Sequence, residues 1–329
     1  MFNRKSIIKL AFKYNAVLLL IILVIAASFI SPYFLSSMNI SNIFRQQSTY
    51  MLIALGMLMV MLTGGIDLSV SPQTALSSVM VAYALQRWGF QEHPWGLGVS
   101  IFIGIAACFV IGCLNGFMVA RLNMPAFIVT LATMYGVRGL AFMITNANTI
   151  LLNQSNPLNK ALNAFAADLD PLLHIPYPVY LAVVVVVIFG LVMYHTSFGR
   201  LLTATGSNET AVQLAGINSR KYKFWAYALC GTLCGIAGVI VTARSGSATA
   251  LTSSGDYDMT TIAGVVIGGA SLRGGEGTVI MTVIGVFVLA IISNIMNLVS
   301  LAVYPQMIVK AIIIILAVLL KSASSKAAS

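Results

Sequence analysis

Eight acidic side chains and three histidines are all that 329 residues offer for proton or metal chemistry. Asp67 stands out among them. It lies in LTGGIDLSVSP (62–72), directly after Gly64-Gly65 and between long apolar runs. A carboxylate there must face a cavity, an aqueous end or a basic partner. It reads either as a gate or helix-positioning group, or as a solvated residue in the turn between two helices. No HExxH, paired apolar-segment aspartates, Ser/His arrangement or Walker-type phosphate loop accompanies it. Cys108, Cys113, Cys230 and Cys234 lie inside apolar runs without histidine partners, as small packing residues do. No catalytic residue, metal site or cofactor site is therefore expected on this chain.

Other polar residues suit a pathway for a hydroxyl-rich solute. Ser71, Thr74 and Ser78 share one helix face by their spacing of three and four, and Asn294 and Asn297 do likewise. Asn115 sits within Gly112-x-x-x-Gly116. The competing reading is interhelical packing, where small and amide side chains are ordinary. Gly231-x-x-x-Gly235 and Gly264-x-x-x-Gly268 fit packing better than transport. A third group lies in HTSFGRLLTATGSNETAVQLAGINSRKYKFW (195–225). Asn208 is a good N-cap, Glu209 complements the helix dipole, and Gly216 suits a left-handed C-cap. The spacing predicts a helix of about two turns, ~10 Å long. It reads as a lever for a soluble partner or as an amphipathic helix lying on lipid headgroups.

The elements that position these residues belong to a bilayer. Hydrophobic residues make up 59% of the chain and charged residues 8%, with a mean hydropathy of +0.95; a soluble protein carries ~25% charged residues. Ten segments suit the ~20 residues needed to cross the hydrocarbon layer. They are 15–33, 46–64, 69–86, 97–120, 125–145, 178–195, 224–244, 258–272, 278–299 and 305–321. Segments 69–86 and 258–272 are short or Gly/Ser-rich and suit broken or re-entrant helices. Arg4, Lys5, Lys9 and Lys13 precede an unbroken apolar run, which predicts a retained first helix rather than a cleaved signal.

Twelve Lys and Arg fall on one predicted side and four on the other, which places both termini in the cytoplasm. Residues 146–177 then form an outer connection and 196–223 an inner one, within a single transmembrane domain spanning 1–329. The net charge of +10 follows from this bias. No basic stretch is interleaved with aromatics, so no nucleic acid is expected as a partner. ALGMLMVMLTGGIDLS (54–69) and IAGVVIGGASLRGGEG (262–277) both run an apolar segment into a Gly-rich break followed by a charge. Paired interrupted segments are what a transporter built from repeats would show.

Five motifs, in order, resemble the permeases of ribose-type ABC sugar importers: LTGGIDLSVSP (62–72), PAFIVTLATMYGVRGLAF (125–142), TSFGRLLTATGSNETAVQLAGIN (196–218), VIGGASLRGGEG (266–277) and PQMIVKAIIIILAVLL (305–320). The resemblance covers nearly the whole chain. It implies an all-α permease of about ten transmembrane helices, related to the vitamin B12 importer type, in a bacterial inner membrane. It also implies a second permease copy or paralogue, a separate ABC ATPase subunit that binds ATP, and a periplasmic sugar-binding protein delivering a monosaccharide. Gly206, Asn208, Glu209, Ala211 and Gly216 match the family's coupling helix, which sits in a cleft of the ATPase. Ser71-Pro72 departs from the family pattern, which has Gly after IDLSV. An ion-coupled secondary transporter is the alternative. It would be expected to carry acidic or His relays within its helices, and Asp67 is the single candidate.

Overall fold

The computed structural model describes residues 15–328, and Arg4, Lys5, Lys9 and Lys13 lie outside them. Thirteen α-helices occupy the described chain. Ten of them fall on the ten apolar segments: α1 (Asn15–Ile30), α2 (Ser37–Leu62), α3 (Val70–Gln86), α4 (Gly96–Ala120), α5 (Ala126–Thr145), α7 (Tyr177–His195), α10 (Ser219–Ser245), α11 (Tyr257–Ile267), α12 (Val279–Leu298) and α13 (Val303–Ala328). Five of these, namely α4, α5, α7, α10 and α12, are long and apolar enough to cross a membrane by length and composition alone.

The remaining helices fill the two long connections. In residues 146–177, α6 (Pro157–Ala167) starts where the Asn156 side chain accepts the Leu158 amide and Pro157 occupies the first turn. In residues 196–223, α8 (Ser197–Ser207) and α9 (Glu209–Leu214) follow each other directly. The single short helix expected there is thus preceded by a second, amphipathic one. Its Gly199, Leu202 and Thr205 are buried.

Burial divides the bundle into a core and a sheath. The second half of α2, most of α3 and most of α10 are buried. Helices α2 and α3 each pack on α10, and α4 packs closely on α10 and on α3. Small residues allow that contact: a Cβ at Gly112 would lie 2.4 Å from the Tyr227 carbonyl oxygen, and one at Gly231 would lie 2.3 Å from that of Cys108. Gly112, Gly116, Gly231 and Gly235 therefore serve helix packing. The outer faces of α1, α4, α5 and α7 expose Ile21, Phe29, Phe102, Phe127, Val184 and Ile188. Water does not tolerate so continuous an apolar sheath, whereas acyl chains do.

The connections gather at two opposite ends. At the cap end, β1 (Ile150–Leu151) pairs antiparallel with β2 (Ser247–Ala248), with Ile150 opposite Ala248. There Asn159 donates to Gln91 at 2.7 Å and Asn163 to the Ala243 carbonyl at 2.9 Å, which pins residues 146–177 over the bundle. At the junction end, residues 62–69, 206–207 and 273–275 meet.

Candidate translocation and coupling sites

The α2–α3 break is closed by backbone rather than by Asp67. Gly64 has φ +78, its amide donates to the Met61 carbonyl, and the Gly65 amide donates to Val60, which together make a Schellman cap. Asp67 instead starts the next helix: its Oδ1 accepts the Ser69 amide at 2.8 Å and the Ser69 hydroxyl at 2.5 Å. Ser69 Oγ in turn accepts from Gln73 at 2.7 Å and from Asn115 at 3.0 Å, and Asn115 Oδ1 accepts from Thr133 at 2.6 Å. Asp67 is wholly buried, so it is not a solvated turn residue. Its other oxygen, Oδ2, has no hydrogen-bond partner, and neither does the nearby buried Tyr227 hydroxyl. The two ion pairs among the described residues lie elsewhere, so no Arg or Lys partners Asp67.

The other polar candidates separate into two groups. Ser71, Thr74 and Ser78 are wholly buried. Ser71 donates to Asp258 at 3.1 Å, Thr74 to the Val70 carbonyl at 2.8 Å, and Ser78 Oγ accepts from Thr242 at 2.8 Å. These bonds tie α3 to itself, to α10 and to α11. Asn294 and Asn297, in contrast, line a polar cavity of about 290 Å³ between α2, α11, α12 and α13. Asn39 and Asn294 exchange amide hydrogen bonds of 3.1 and 2.8 Å across it. Farther along, Lys310 pairs with Asp256 at 2.8 Å, and Tyr50 donates to the same carboxylate at 3.0 Å. Lys310 therefore pairs internally.

The cavity face of α2, formed by Asn39, Asn42, Gln46, Gln47 and Tyr50, was missed from sequence. The signal was present as polar spacing of three, four, seven and eight. Asn39 and Asn42 lie ahead of the apolar window 46–64, in a stretch that reads as a loop on hydropathy alone, and Gln46, Gln47 and Tyr50 lie inside it. Among the described residues, no three His, Cys, Asp or Glu side chains gather to hold a metal ion.

Helix α9 is capped as its sequence dictates. Asn208 Oδ1 accepts the Ala211 amide at 2.9 Å. Gly216, at φ +76, donates to Gln213, and Ile217 donates to Val212, forming another Schellman cap. Glu209 pairs with Lys223 at 2.6 Å and accepts from Ser219 at 3.0 Å, tying the helix to α10. Partial burial acts to raise the Glu209 carboxyl pKa. The Lys223 and Ser219 hydrogen bonds and the Lys223 charge outweigh it and hold the pKa below the usual value. Val212 is buried beneath α9, while Ala211, Leu214 and Ala215 are exposed. Gly206 sits at the end of α8 against the break in α2. A Cβ there would lie 1.8 Å from the Leu62 carbonyl oxygen and 2.8 Å from the Gly275 nitrogen. That Leu62 carbonyl already accepts the Gly275 amide at 3.0 Å.

An apolar-sheathed helical bundle with buried polar networks and an exposed capped helix at one end defines a multi-pass membrane transport protein. The family described as "Branched-chain amino acid transport system / permease component" matches residues 39–318. The ribose import permease protein RbsC of Escherichia coli (strain K12) is 37% identical over 309 residues, covering 93% of this chain and 92% of that protein. RbsC of Bacillus subtilis (strain 168) is 38% identical over 301 residues, covering 92% and 90%. The L-arabinose transport system permease protein AraH of Escherichia coli (strain K12) is 33% identical over 319 residues, covering 96% and 92%. No solved structure matches the chain. The chain belongs to this permease family and, within it, to the ribose-type sugar ABC permeases.

Proposed function

We propose that this chain is the membrane-spanning subunit of a bacterial inner-membrane importer that passes a monosaccharide from a periplasmic binding protein to the cytoplasm, driven by ATP hydrolysis on a separate subunit. Ten crossings with cytoplasmic termini place the cap end outside and the junction end inside, in the manner of the vitamin B12 importer type. A second copy or paralogue completes the channel. The observation that carries the reading is α9: a short helix capped at both ends, ion-paired to α10 and presenting exposed Ala211, Leu214 and Ala215. Such a helix can transmit force from a soluble ATPase because its ends cannot fray. Its small exposed face fits a cleft in that partner.

The test is co-purification of the chain with its ATPase, followed by reconstitution with the binding protein in vesicles. Sugar uptake should require ATP and be insensitive to ionophores. Ala211→Asp, which places a charge on the exposed face, should abolish uptake while leaving insertion and folding intact. Ion-gradient-driven uptake without an ATPase would favour the secondary-transporter alternative.

A further inference from the structure

We propose that the cavity between α2, α11, α12 and α13 is a binding site for one monosaccharide in transit, which engages the sugar through its hydroxyl groups. The inference rests on the import reading and adds a place on this chain where the cargo is recognised.

The lining supplies the chemistry. Asn39, Asn42, Gln46, Gln47 and Tyr50 project from one face of α2 into the cavity, and Ser293, Asn294 and Asn297 approach from α12. Between Asn39 and Tyr50 the face runs for ~16 Å along the helix. A carboxamide both donates and accepts, as a sugar hydroxyl does, so amides at three- and four-residue spacing can follow a ring around its edge. The buried parts of Ile43, Leu289 and Ala290 offer a small apolar patch for C–H faces.

Gln47 offers the ligand an amide. It is 7% exposed and lines the cavity, yet its side-chain amide makes no hydrogen bond to any described residue. Its polar atoms are not among the buried ones left without a partner, so they open onto the cavity, where a sugar hydroxyl can take the place of water. Asn294 and Gln306, by contrast, are already bonded to Asn39 and Asn297. They form the frame around the free amide.

The charges decide the class of ligand. Among the described lining residues Lys310 is the one cation; Asp256 holds it, and Tyr50 donates to the same carboxylate. Among the described residues no charge in the lining is left for the ammonium or carboxylate of an amino acid. The apolar patch is also too small to sheathe a branched aliphatic side chain. A neutral polyol meets neither obstacle.

The test uses the complete complex, with ATPase and binding protein, in vesicles. Gln47→Leu keeps the side-chain size and removes the amide. It should lower D-ribose or L-arabinose uptake at least tenfold while the amount of assembled complex stays unchanged. Because a buried leucine can disturb packing, the exposed Gln46 gives a second readout. In a Cys-less background, Gln46→Cys should be modified by a polar thiol reagent several-fold more slowly in saturating pentose, and at an unaltered rate in L-leucine. Uptake by Gln47→Leu within twofold of the parent, or pentose failing to slow modification of Gln46→Cys, overturns the site. Protection by L-leucine in place of pentose overturns the sugar assignment. A parent complex with no ATP-driven uptake at all would refute the import reading itself, a distinguishable result.

Discussion

Replacing Gly206 by alanine tests the contact between α8 and the rest of the bundle. In an ordinary helix the change would stabilise by ~1 kcal/mol, because alanine has the higher helix propensity. Here the added methyl would lie 1.8 Å from the Leu62 carbonyl oxygen and 2.8 Å from the Gly275 nitrogen, both backbone atoms. Non-bonded heavy atoms settle at ~3.5–4.0 Å, so α8 or the break must retreat by more than ~1 Å. Overpacking of this kind costs ~1–3 kcal/mol. The Gly275–Leu62 hydrogen bond lies in the path of the retreat and is worth ~1 kcal/mol. After the propensity gain is subtracted, Gly206→Ala should destabilise by ~1–3 kcal/mol. Gly190→Ala in α7 is the control, since a Cβ there meets nothing within 4 Å. It should be neutral or stabilise by up to ~1 kcal/mol. Thermal unfolding in detergent ranks the two, and the ratio of uptake to ATP hydrolysis should fall for Gly206→Ala alone. Equal melting temperatures and equal transport ratios would refute the packing argument.

Three further outcomes follow from described contacts. Asp67→Asn keeps an acceptor for the Ser69 amide and should fold while weakening the coupling of hydrolysis to uptake; Asp67→Leu should lose ~1–3 kcal/mol by leaving that buried donor unpaired, and normal transport per ATP in both variants would contradict this. The folded-state Glu209 pKa lies below its ordinary 4.5, so the stability from its pair with Lys223 is complete above that value and lost as pH falls through the depressed one. Exchange of the amides of residues 208–223, corrected for intrinsic rate, should therefore rise at acid pH in the parent, and Lys223→Met should move that rise to higher pH. Single cysteines at Asn156 and Ser207 in a Cys-less background should be labelled from the periplasm and from the cytoplasm respectively; labelling of Asn156 only from the cytoplasm would invert the topology.

Local chemistry was legible in the sequence, whereas contacts between distant segments were not. Asn208 and Gly216 bracket α9 because capping depends on residues within one turn, and both ends stand where those residues place them. The ten apolar segments likewise coincide with helices, since hydropathy is summed over each segment alone. The extent of α2 back to Ser37 was not legible. A helix that turns a polar face toward a cavity shows no apolar run there. The role of Asp67 was half-legible: a Gly-Gly break announces backbone groups in need of partners, but the glycines form their own cap and Asp67 serves Ser69 instead. The approach of Gly206 to Leu62 and Gly275 joins three segments far apart in the chain, and no spacing rule encodes it.

That approach also constrains the order in which parts can move. No side chain lies between Gly206 and the Leu62 carbonyl, and not even a methyl group would fit. Surfaces meeting this closely cannot roll over one another, because rotation of α8 would drive its neighbouring side chains into the same gap. Separation must come before rotation. A pull on α9 is therefore first felt as a parting of α8 from the break in α2, along the line joining them. The Gly275–Leu62 hydrogen bond sits at that seam and is the first latch to be strained. The junction behaves as a ratchet tooth, which must lift clear before its wheel can turn.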